Sequence, residues 1–335
     1  MKHKDLIDQL TLEEKAALLG GKGEWDSRDI PRLGIPSMIM SDGPHGLRRQ
    51  AGAGDHLGLN ASLPATCFPT AATMSNSWDP ALGTEVGKAL GEEAKAMGVN
   101  ILLGPGMNIK RSPLCGRNFE YFSEDPYVAG KMAASYVKGI QSQGVYSCIK
   151  HFAVNSQEER RMAMNAVVDE RTLREIYLKP FEIAVKKYQG QALAAMSAFN
   201  WIGTEPGCAN NELLNTVLRD EWGFRGMVET DYNGSYGYQI TDHCIRNGND
   251  LMLGFNGAAS TVLSDKSATA VKAMRQACKN ILYTVGNSGY YTINEQTSGG
   301  LTRMQKIFYG VDALTAAIVI IPLALAFFSK KKKAA

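Results

Sequence analysis

Five polar residues of the chain have types that together suit the binding of a hydroxyl-rich molecule. They are Asp42, Arg117, Lys150, His151 and Asp231. Lysine and histidine donate hydrogen bonds to hydroxyl groups, a carboxylate accepts a pair of them, and an arginine orients an oxygen atom. A phosphate site would lack the two acids, and a hydride-transfer site would not need this mixture of donors and acceptors. The set therefore predicts a site for a neutral polyhydroxyl compound.

Each of these residues taken alone also has a purely structural explanation. An aspartate just beyond a strand often stabilises a turn or caps a helix. Arg117 has two ion-pair partners close by in sequence, Glu120 and Glu124. The charged run at 158–161, which follows Lys150 and His151, is expected to be a solvated connector. The prediction of a site therefore depends on the combination of residues.

Strand-like apolar runs alternate with helical patterns from about residue 37 to residue 285. The six runs are 37–41, 99–103, 146–149, 192–198, 226–230 and 250–253. They are apolar without strict alternation, as parallel strands covered on both faces are. Polar residues follow several of the runs, which places them at the shared C-terminal mouth of a TIM-like (β/α)8 barrel. A doubly wound dinucleotide-binding sheet is disfavoured because no GxGxxG motif opens a helix.

Charge and cysteine content exclude several classes of function. The chain has 335 residues and a net charge of +3, of which the lysines at 330–333 supply +4, so the remainder carries −1. That balance leaves no basic face for nucleic acid. The six cysteines show no CxxC and no short His/Cys spacing, which argues against a zinc site and gives no disulfide framework. No metal and no other cofactor is indicated.

The C-terminal segment predicts a membrane anchor. Residues 313–328 form an uncharged run of sixteen, which flanking lysines extend toward the roughly 20 residues that a bilayer requires. We predict a barrel domain at 1–290, a linker at 291–310 and a transmembrane helix with a polylysine tail at 311–335. The lysines should stay cytoplasmic, which puts the barrel on the outer face. The first twenty residues carry four acids and no apolar core, so they do not resemble a signal peptide.

Five motifs resemble the successive motifs of the N-terminal domain of glycoside hydrolase family 3, which contains β-glucosidases and other exo-glycosidases. They are MSDGPHGLR (40–48), GRNFEYFSEDP (116–126), IKHFAVN (149–155), MSAFN (196–200) and GFRGMVETDY (223–232), in the family's order. The resemblance covers residue 10 to about 285. It implies a TIM-like barrel and the hydrolysis of terminal, non-reducing β-linked sugars with retention of configuration.

The resemblance also implies roles for individual residues. Asp231 corresponds to the nucleophile of the family. The family residues that bind the sugar next to the scissile bond correspond here to Asp42, Arg117, Lys150 and His151. Met196 and Phe199 match positions that line the same pocket. Tyr232 stands where tryptophan is usual, which implies weaker or shifted stacking on the sugar.

Glu229 competes with Asp231 for the role of nucleophile. The two residues lie two positions apart, so alternation along a strand points both side chains to one face. If that face is the barrel interior, Glu229 is a buried acid whose pKa should be raised.

Retaining hydrolysis also needs an acid/base carboxyl group about 5 to 5.5 Å from the nucleophile. In most of the family an α/β-sandwich domain after the barrel supplies it, whereas this sequence continues into the predicted linker and membrane helix. One branch of the family uses a histidine in a GHGxT-type motif, and this chain reads KHFAVNSQEE instead. We therefore expect the acid/base to come from a missing or partner sandwich domain, as in a permuted or split enzyme. The alternative is a membrane-tethered sugar-binding protein with impaired catalysis.

Overall fold

The computed structural model describes residues 4–186, 190–233, 239–254 and 266–290, together with residues 310, 311, 314 and 315. The chain divides into two units, Met1–Ile293 and Asn294–Ala335. Over the described ranges, no helix is long and apolar enough to cross a bilayer. The linker predicted at 291–310 and the transmembrane helix predicted at 311–335 lie almost wholly outside the described residues.

The centre of the first unit is a parallel sheet of five strands in the order β1–β2–β3–β5–β8, and a second, small sheet contains β4, β6 and β7. The strands are β1 Met40–Ser41, β2 Ile101–Leu102, β3 Tyr146–Phe152, β4 Asn165–Ala166, β5 Ala194–Ser197, β6 Trp201–Ile202, β7 Glu205–Pro206 and β8 Met227–Thr230. The five strands of the main sheet coincide with the first five predicted runs. β3 extends past its predicted end and includes Lys150 and His151.

The main sheet curls until its last strand is connected back to its first. The isolated bridges that complete the circuit are Glu229 to Leu251 and Gly20 to Met252, both parallel, and Gly21 to Ser27 and Asp26 to Ile39, both antiparallel. The predicted run at 250–253 thus supplies a sixth parallel position, and the segment at 20–27 closes the gap to β1. This curled sheet agrees with the predicted TIM-like class. In the described part of the chain, however, the ring contains the five parallel strands, further parallel positions at 250–253 and at Gly20, and an antiparallel closure, and not eight regular β/α units.

Helices cover the outer face of the sheet. The α-helices are α1 Lys4–Gln9, α2 Leu12–Leu18, α3 Ala71–Ser75, α4 Pro80–Ala96, α5 Pro126–Gln141, α6 Glu170–Thr172, α7 Lys179–Val185, α8 Thr241–Arg246 and α9 Ala268–Asn287, with π-helical turns at Leu173–Tyr177 and Glu212–Glu221. Their starts follow the sequence signals. Asp79 accepts a hydrogen bond from the N–H of Ala81 at the start of α4, where Pro80 occupies the first turn, because a proline there forfeits no helical hydrogen bond.

Alternation along the strands sorts their side chains into two cores. Ile149 and Val228 pack against the helices in one core, whereas Cys148 and Met227 belong to the other, on the inward face. Side chains two residues apart share a face of a strand. Lys150, two residues beyond Cys148, therefore continues the inward face toward the C-terminal mouth, which is where the sequence places its polar residues.

Candidate active site

Asp42 is the first residue after β1, and the turn behind it requires glycine. Gly43 has a φ of +106°, and a Cβ atom there would lie 2.0 Å from the carbonyl oxygen of Gly46. The backbone N–H of Arg48 donates to the carbonyl of Asp42 at 3.0 Å and closes the turn. The Asp-Gly-Pro sequence therefore holds the carboxylate on rigid backbone at the barrel mouth.

Lys150 and Asp42 form the central ion pair of the site. The Nζ atom of Lys150 lies 2.7 Å from Oδ1 of Asp42, and Nη2 of Arg48 lies 3.8 Å from Oδ2. Burial alone would raise the pKa of Asp42, but Lys150, and Arg48 after it, lower that pKa to about 2. Asp42 is consequently an ionised acceptor at any pH at which the protein works, with part of its carboxylate still open to solvent.

Glu120 connects Lys150 with Arg117. The Nε atom of Arg117 donates to Oε1 of Glu120, and the Nζ atom of Lys150 lies 4.0 Å from Oε2. The side chain of Glu120 is buried, as is that of Lys150. Of the two partners that the sequence offers to Arg117, the structure thus selects Glu120. This pairing holds both cations beside the site, so the structural and the functional explanation of Arg117 apply together.

His151 is a neutral imidazole whose position is fixed by Asn108 and Tyr121. Asn108 accepts from the backbone N–H of His151 and donates to its carbonyl, both at 2.8 Å. The hydroxyl of Tyr121 lies 3.2 Å from Nδ1, and Asn155 Nδ2 lies 3.4 Å from the same hydroxyl. Burial holds the pKa of His151 well below its usual value. Oδ1 of Asn108 also lies 3.3 Å from Nδ1, so Nδ1 faces both a hydroxyl and an amide oxygen, and Nε2 is the nitrogen that faces Asp231.

Asp231 follows β8 directly and has one committed and one uncommitted oxygen. Its Oδ1 atom accepts from the backbone N–H of Tyr232 at 2.7 Å. Its Oδ2 atom is buried without a hydrogen-bond partner among the described residues, and Nε2 of His151 lies 3.8 Å away. Burial raises the pKa of Asp231 above its ordinary value, while Arg161 and Arg117 act against that rise. An anchored carboxylate with a free oxygen in a water-poor cup has the arrangement of a nucleophile.

Glu229 lies on the same face as Asp231 but deeper in the barrel. It is fully buried, and its Oε1 atom accepts from Sγ of Cys148 at 3.0 Å. Burial raises the pKa of Glu229 to about 7, as the alternation argument predicted. A carboxyl group with no exposed surface beneath the mouth has no path to a sugar, so this geometry favours Asp231 over Glu229 as the reacting carboxylate.

Aromatic and apolar side chains form the wall of the cup. Met196 on β5 is buried opposite Glu229, and Phe199 lies just beyond β5 with the guanidinium of Arg161 4.6 Å from its ring centroid. Tyr232 stacks on His56, with ring centroids 4.2 Å apart and an interplanar angle of 10°.

The structure places the eight predicted site residues at the C-terminal ends of the strands or on the loops that follow them. Ion pairs join Asp42 to Lys150 and, through Glu120, to Arg117, and His151 lies beside Asp231.

The expectation of a solvated connector at 158–161 is wrong for two of its four residues. Glu158 accepts from Arg161 at 2.8 Å and from Asn155 at 3.1 Å, and it lies 4.0 Å from Nε of Arg117. Only the middle pair of the run is exposed. The charged run thus contributes to the electrostatics of the site, because the loop after β3 folds back over the mouth.

Two residues of the site, Arg161 and His56, were not predicted from the sequence. Asn108 and Tyr121 lie in the polar loop that follows β2, and Asn155 ends the IKHFAVN motif, so the sequence marked their segments without assigning them a role. His56 lies in an unremarkable Gly- and Ala-rich segment, and only the folded chain brings it to Tyr232. Across the described ranges, no group of three metal-binding side chains is present.

Replacing Asp42 with alanine should weaken sugar binding strongly. The change removes an ionised acceptor from its hydroxyl partners and leaves the buried Lys150 without its closest counter-charge. We expect a loss of about 3 kcal/mol, which is more than 100-fold in Kd. Calorimetric titration with gluconolactone or glucose measures this loss.

A matched control is the Asp29→Ala variant. Asp29 pairs with Lys22 at 2.9 Å and has a side-chain exposure of 31%, compared with 34% for Asp42. It should bind sugar as the wild type does. An Asp42→Ala protein with wild-type affinity would remove Asp42 from the site.

A family profile and curated relatives agree on the kinship of the chain. The profile described as "Glycosyl hydrolase family 3 N terminal domain" matches residues 24–247. "Thermostable beta-glucosidase B" of Acetivibrio thermocellus is 49% identical over 279 residues, which are 83% of this chain and 36% of that protein. "Exo-alpha-(1->6)-L-arabinopyranosidase" of Bifidobacterium longum is 48% identical over 231 residues, 69% of this chain and 30% of that protein.

Solved structures show the same relationship in three dimensions. β-Glucosidase 3B from Thermotoga neapolitana in complex with α-D-glucose superposes with a TM-score of 0.78 at 35% identity, over 93% of this chain and 46% of that one. β-Glucosidase from Kluyveromyces marxianus in complex with glucose gives a TM-score of 0.77 at 34% identity, over 87% of this chain and 34% of that one. The chain therefore spans about a third of the length of these curated relatives and less than half of these solved structures.

Proposed function

The chain belongs to glycoside hydrolase family 3, through the N-terminal domain of that family, and from this premise we propose that it is the nucleophile-bearing barrel of a retaining β-glycosidase. The proposed reaction is exo-acting, β-glucosidase-like removal of terminal, non-reducing β-linked sugars. The observation that supports it most is the arrangement of Asp231, whose anchored Oδ1 leaves Oδ2 uncommitted in a buried cup. Around that oxygen lie neutral and charged donors suited to hydroxyl groups.

The cup supplies a separate function for each of its members. Lys150 donates to sugar hydroxyls, Nε2 of His151 forms a hydrogen bond with one of them, and Asp42 accepts from them. Arg117, fixed by Glu120, adds positive charge that stabilises the ionised form of Asp231. Oδ2 of Asp231 attacks the anomeric carbon while the glycosidic C–O bond breaks and its electron pair leaves with the aglycone oxygen, which the acid/base protonates. Water then hydrolyses the glycosyl ester and returns Asp231 to its carboxylate form. The backbone N–H of Tyr232 holds the carboxylate in place for the attack. The cup is closed below by the barrel core, which supports the proposed exo action on a terminal sugar.

The acid/base that this mechanism needs is proposed to come from a partner α/β-sandwich domain. A general acid at neutral pH needs a raised pKa and access to the leaving oxygen. In the network of described side chains, Asp42, Glu120 and Glu158 are each engaged by a cation. Glu229 has the raised pKa but is fully buried. No carboxyl group of that described network therefore combines the two properties.

The rim of the mouth carries an apolar surface suited to such a partner. Large apolar residues on the loops after β1 and β2 are exposed, namely Leu57 at 63%, Leu59 at 81%, Leu114 at 91% and Phe119 at 54%. Loops that follow parallel strands share one end of a barrel. Exposed apolar patches rimmed by polar residues mark contact surfaces. A domain that docks there would deliver a carboxyl group to the side of the sugar opposite Asp231.

A second candidate function is that of a membrane-tethered, catalytically impaired sugar-binding protein. One observation in its favour is that Asp42, Glu120 and Glu158 are paired with cations. The other is the uncharged run at 313–328, from which we propose attachment to a membrane with the barrel on the outer face. Such a protein would use the same cup without turnover.

Turnover of dinitrophenyl β-glucoside by the 335-residue chain distinguishes the two candidates. This leaving group departs without protonation, so its release requires only the nucleophile and the cup. The proposed enzyme should release dinitrophenolate, whereas a binding protein should bind glucose or gluconolactone without release. A chain that neither binds nor hydrolyses would contradict both proposals. Including a dinitrophenyl α-L-arabinopyranoside in the panel tests the sugar preference that one relative's name suggests for that relative.

A further inference from the structure

The deepest polar group beneath the mouth is the carboxyl of Glu229. It lies on β8, fully buried, with Leu251 and Met196 as its apolar neighbours on the adjoining strands. One oxygen accepts from the thiol of Cys148, and Oε2 has no partner among the described side chains. A buried carboxylate with one weak donor and no counter-ion in contact is costly. The surroundings therefore favour the neutral acid.

The charged and titratable groups that face Glu229 come from two elements. On β3 these are Cys148 and Lys150, and beyond the end of β8 it is Asp231. Lys150 has its own partner, because its ammonium lies 2.7 Å from Asp42 and 4.0 Å from Glu120. Loss of the Glu229 proton would add a negative charge beneath Asp231 and give Lys150 a further anion to attract. These effects act on Asp231 and Lys150, both of which the proposed function assigns to the sugar.

Building on the proposed function, we propose that Glu229 is a positioning residue that works as a neutral carboxylic acid beneath the nucleophile, and that its ionisation ends activity at alkaline pH. In its neutral form it leaves Lys150 on Asp42 and adds no charge under Asp231. In its ionised form it draws Lys150 inward, loosens the Asp42 pair and disturbs the geometry in which Oδ2 attacks. The residue acts through Asp231 and Lys150 and does not touch the substrate.

Among the groups beneath the mouth, Glu229 is the one whose pKa lies near neutrality. Burial raises its pKa to about 7, against a smaller lowering by the Cys148 hydrogen bond. Burial also raises the pKa of Asp250, to about 6, but that carboxyl is held by Arg219 and Asn280 on the helix side of the sheet. The pKa of Asp42 is about 2, that of His151 is well below its usual value, and those of Lys150 and Cys148 are raised above theirs. Since a carboxylic acid is neutral below its pKa, the active form dominates below pH 7 and is lost above it.

The ratio of kcat/KM at pH 6 to that at pH 8.5, measured with dinitrophenyl β-glucoside, tests the proposal. An activated substrate removes the acid/base from the profile. With a pKa of about 7, the neutral fraction and therefore the wild-type rate should fall about 30-fold between these pH values. The Glu229→Gln variant cannot ionise and keeps an acceptor for Cys148, so its ratio should stay below about 2. A Glu229→Gln protein that falls as steeply as the wild type would overturn the proposal.

The thiol partner provides a matched pair of variants that leave Glu229 in place. Because the Cys148 hydrogen bond lowers the pKa of Glu229, Cys148→Ala should move the alkaline fall of kcat/KM to higher pH. Cys148→Ser retains a donor, so its kcat/KM should fall at a pH closer to that of the wild type. If kcat/KM fell at the same pH in both variants, this contact would have no role.

A readout without turnover separates this proposal from the proposed function. Infrared difference spectra of the wild type should show the carbonyl band of a protonated carboxyl group that disappears with a midpoint near pH 7 and is absent from Glu229→Gln. Absence of the band at pH 6 would refute the neutral acid even in an active enzyme. If the band titrates as expected but dinitrophenyl glucoside is not hydrolysed, the result counts against the proposed function. It then also removes any effect of Glu229 on catalysis.

Discussion

Replacing Asp231 with glycine is expected to lower kcat/KM for dinitrophenyl β-glucoside by about 10⁴-fold or more, the scale of loss when an enzyme loses its nucleophile. The covalent route depends on Oδ2 of Asp231, the buried oxygen without a described partner. The neighbouring carboxyl of Glu229 is fully buried and hydrogen-bonded to Cys148, so it does not replace the lost group. Stopped-time assays of dinitrophenolate release measure the loss.

Azide should restore turnover of the Asp231→Gly variant, because a small anion fits the space that the carboxylate leaves. Attack from that side gives the glycosyl azide of inverted, α configuration. The Asp29→Ala surface control should keep wild-type turnover and should not respond to azide in this way. An Asp231→Gly protein with near wild-type activity, or one that yields only β-glycosyl azide, would show that another residue forms the covalent bond.

Hydrolysis of a natural disaccharide by the chain alone is expected to be slower by about 10² to 10⁴ than acid-assisted hydrolysis. The physical reason is the leaving group, since an alkoxide needs a proton that dinitrophenolate does not. The carboxyl groups of the described network are not available as acids: Glu120 is paired with Arg117, and Glu229 is buried with a hydrogen bond from Cys148. The rate should therefore depend steeply on the pKa of the leaving group, which a series of aryl β-glucosides measures.

The second half of the reaction should also be slow, because the described side chains of the cup include no general base. The glycosyl-enzyme should then accumulate, and dinitrophenolate should appear as a burst followed by a slow phase. Azide should speed that slow phase and give β-glycosyl azide by two successive inversions, the opposite anomer from that of the Asp231→Gly variant. A separately added sandwich domain should accelerate disaccharide hydrolysis. Rapid hydrolysis of cellobiose by the pure 335-residue chain would mean that a carboxyl group within it, such as Glu120 or Glu229, serves as the acid.

The main sheet and the location of its polar residues were predictable from the sequence. Parallel strands buried on both faces leave continuous apolar runs, and residues such as Asp42 and Asp231 interrupt the pattern where each strand ends. Strand alternation also predicted the inward burial of Glu229, because a period of two needs no knowledge of the rest of the fold. These features depend on local sequence, which is why they can be read from it.

The features that escaped prediction depend on contacts between distant segments. The closure of the sheet through residues 20–27 involves isolated bridges, and such bridges leave no run of apolar residues. The stacking of His56 on Tyr232 joins the loop after β1 to the end of β8. The run at 158–161 has the composition of a solvated segment, and only the fold of the loop after β3 brings Arg161 over Phe199.

Covalent labelling of the nucleophile tests the central claim most directly. A 2-deoxy-2-fluoro β-glucoside with a dinitrophenyl leaving group should form a stable glycosyl-enzyme, since the fluorine slows both steps and the activated leaving group restores the first. Proteolysis and mass spectrometry then locate the modified residue. We predict one label per chain, on Asp231 in the GMVETDY segment. A label on Glu229, on Asp42 or on a residue outside the barrel mouth would contradict the account.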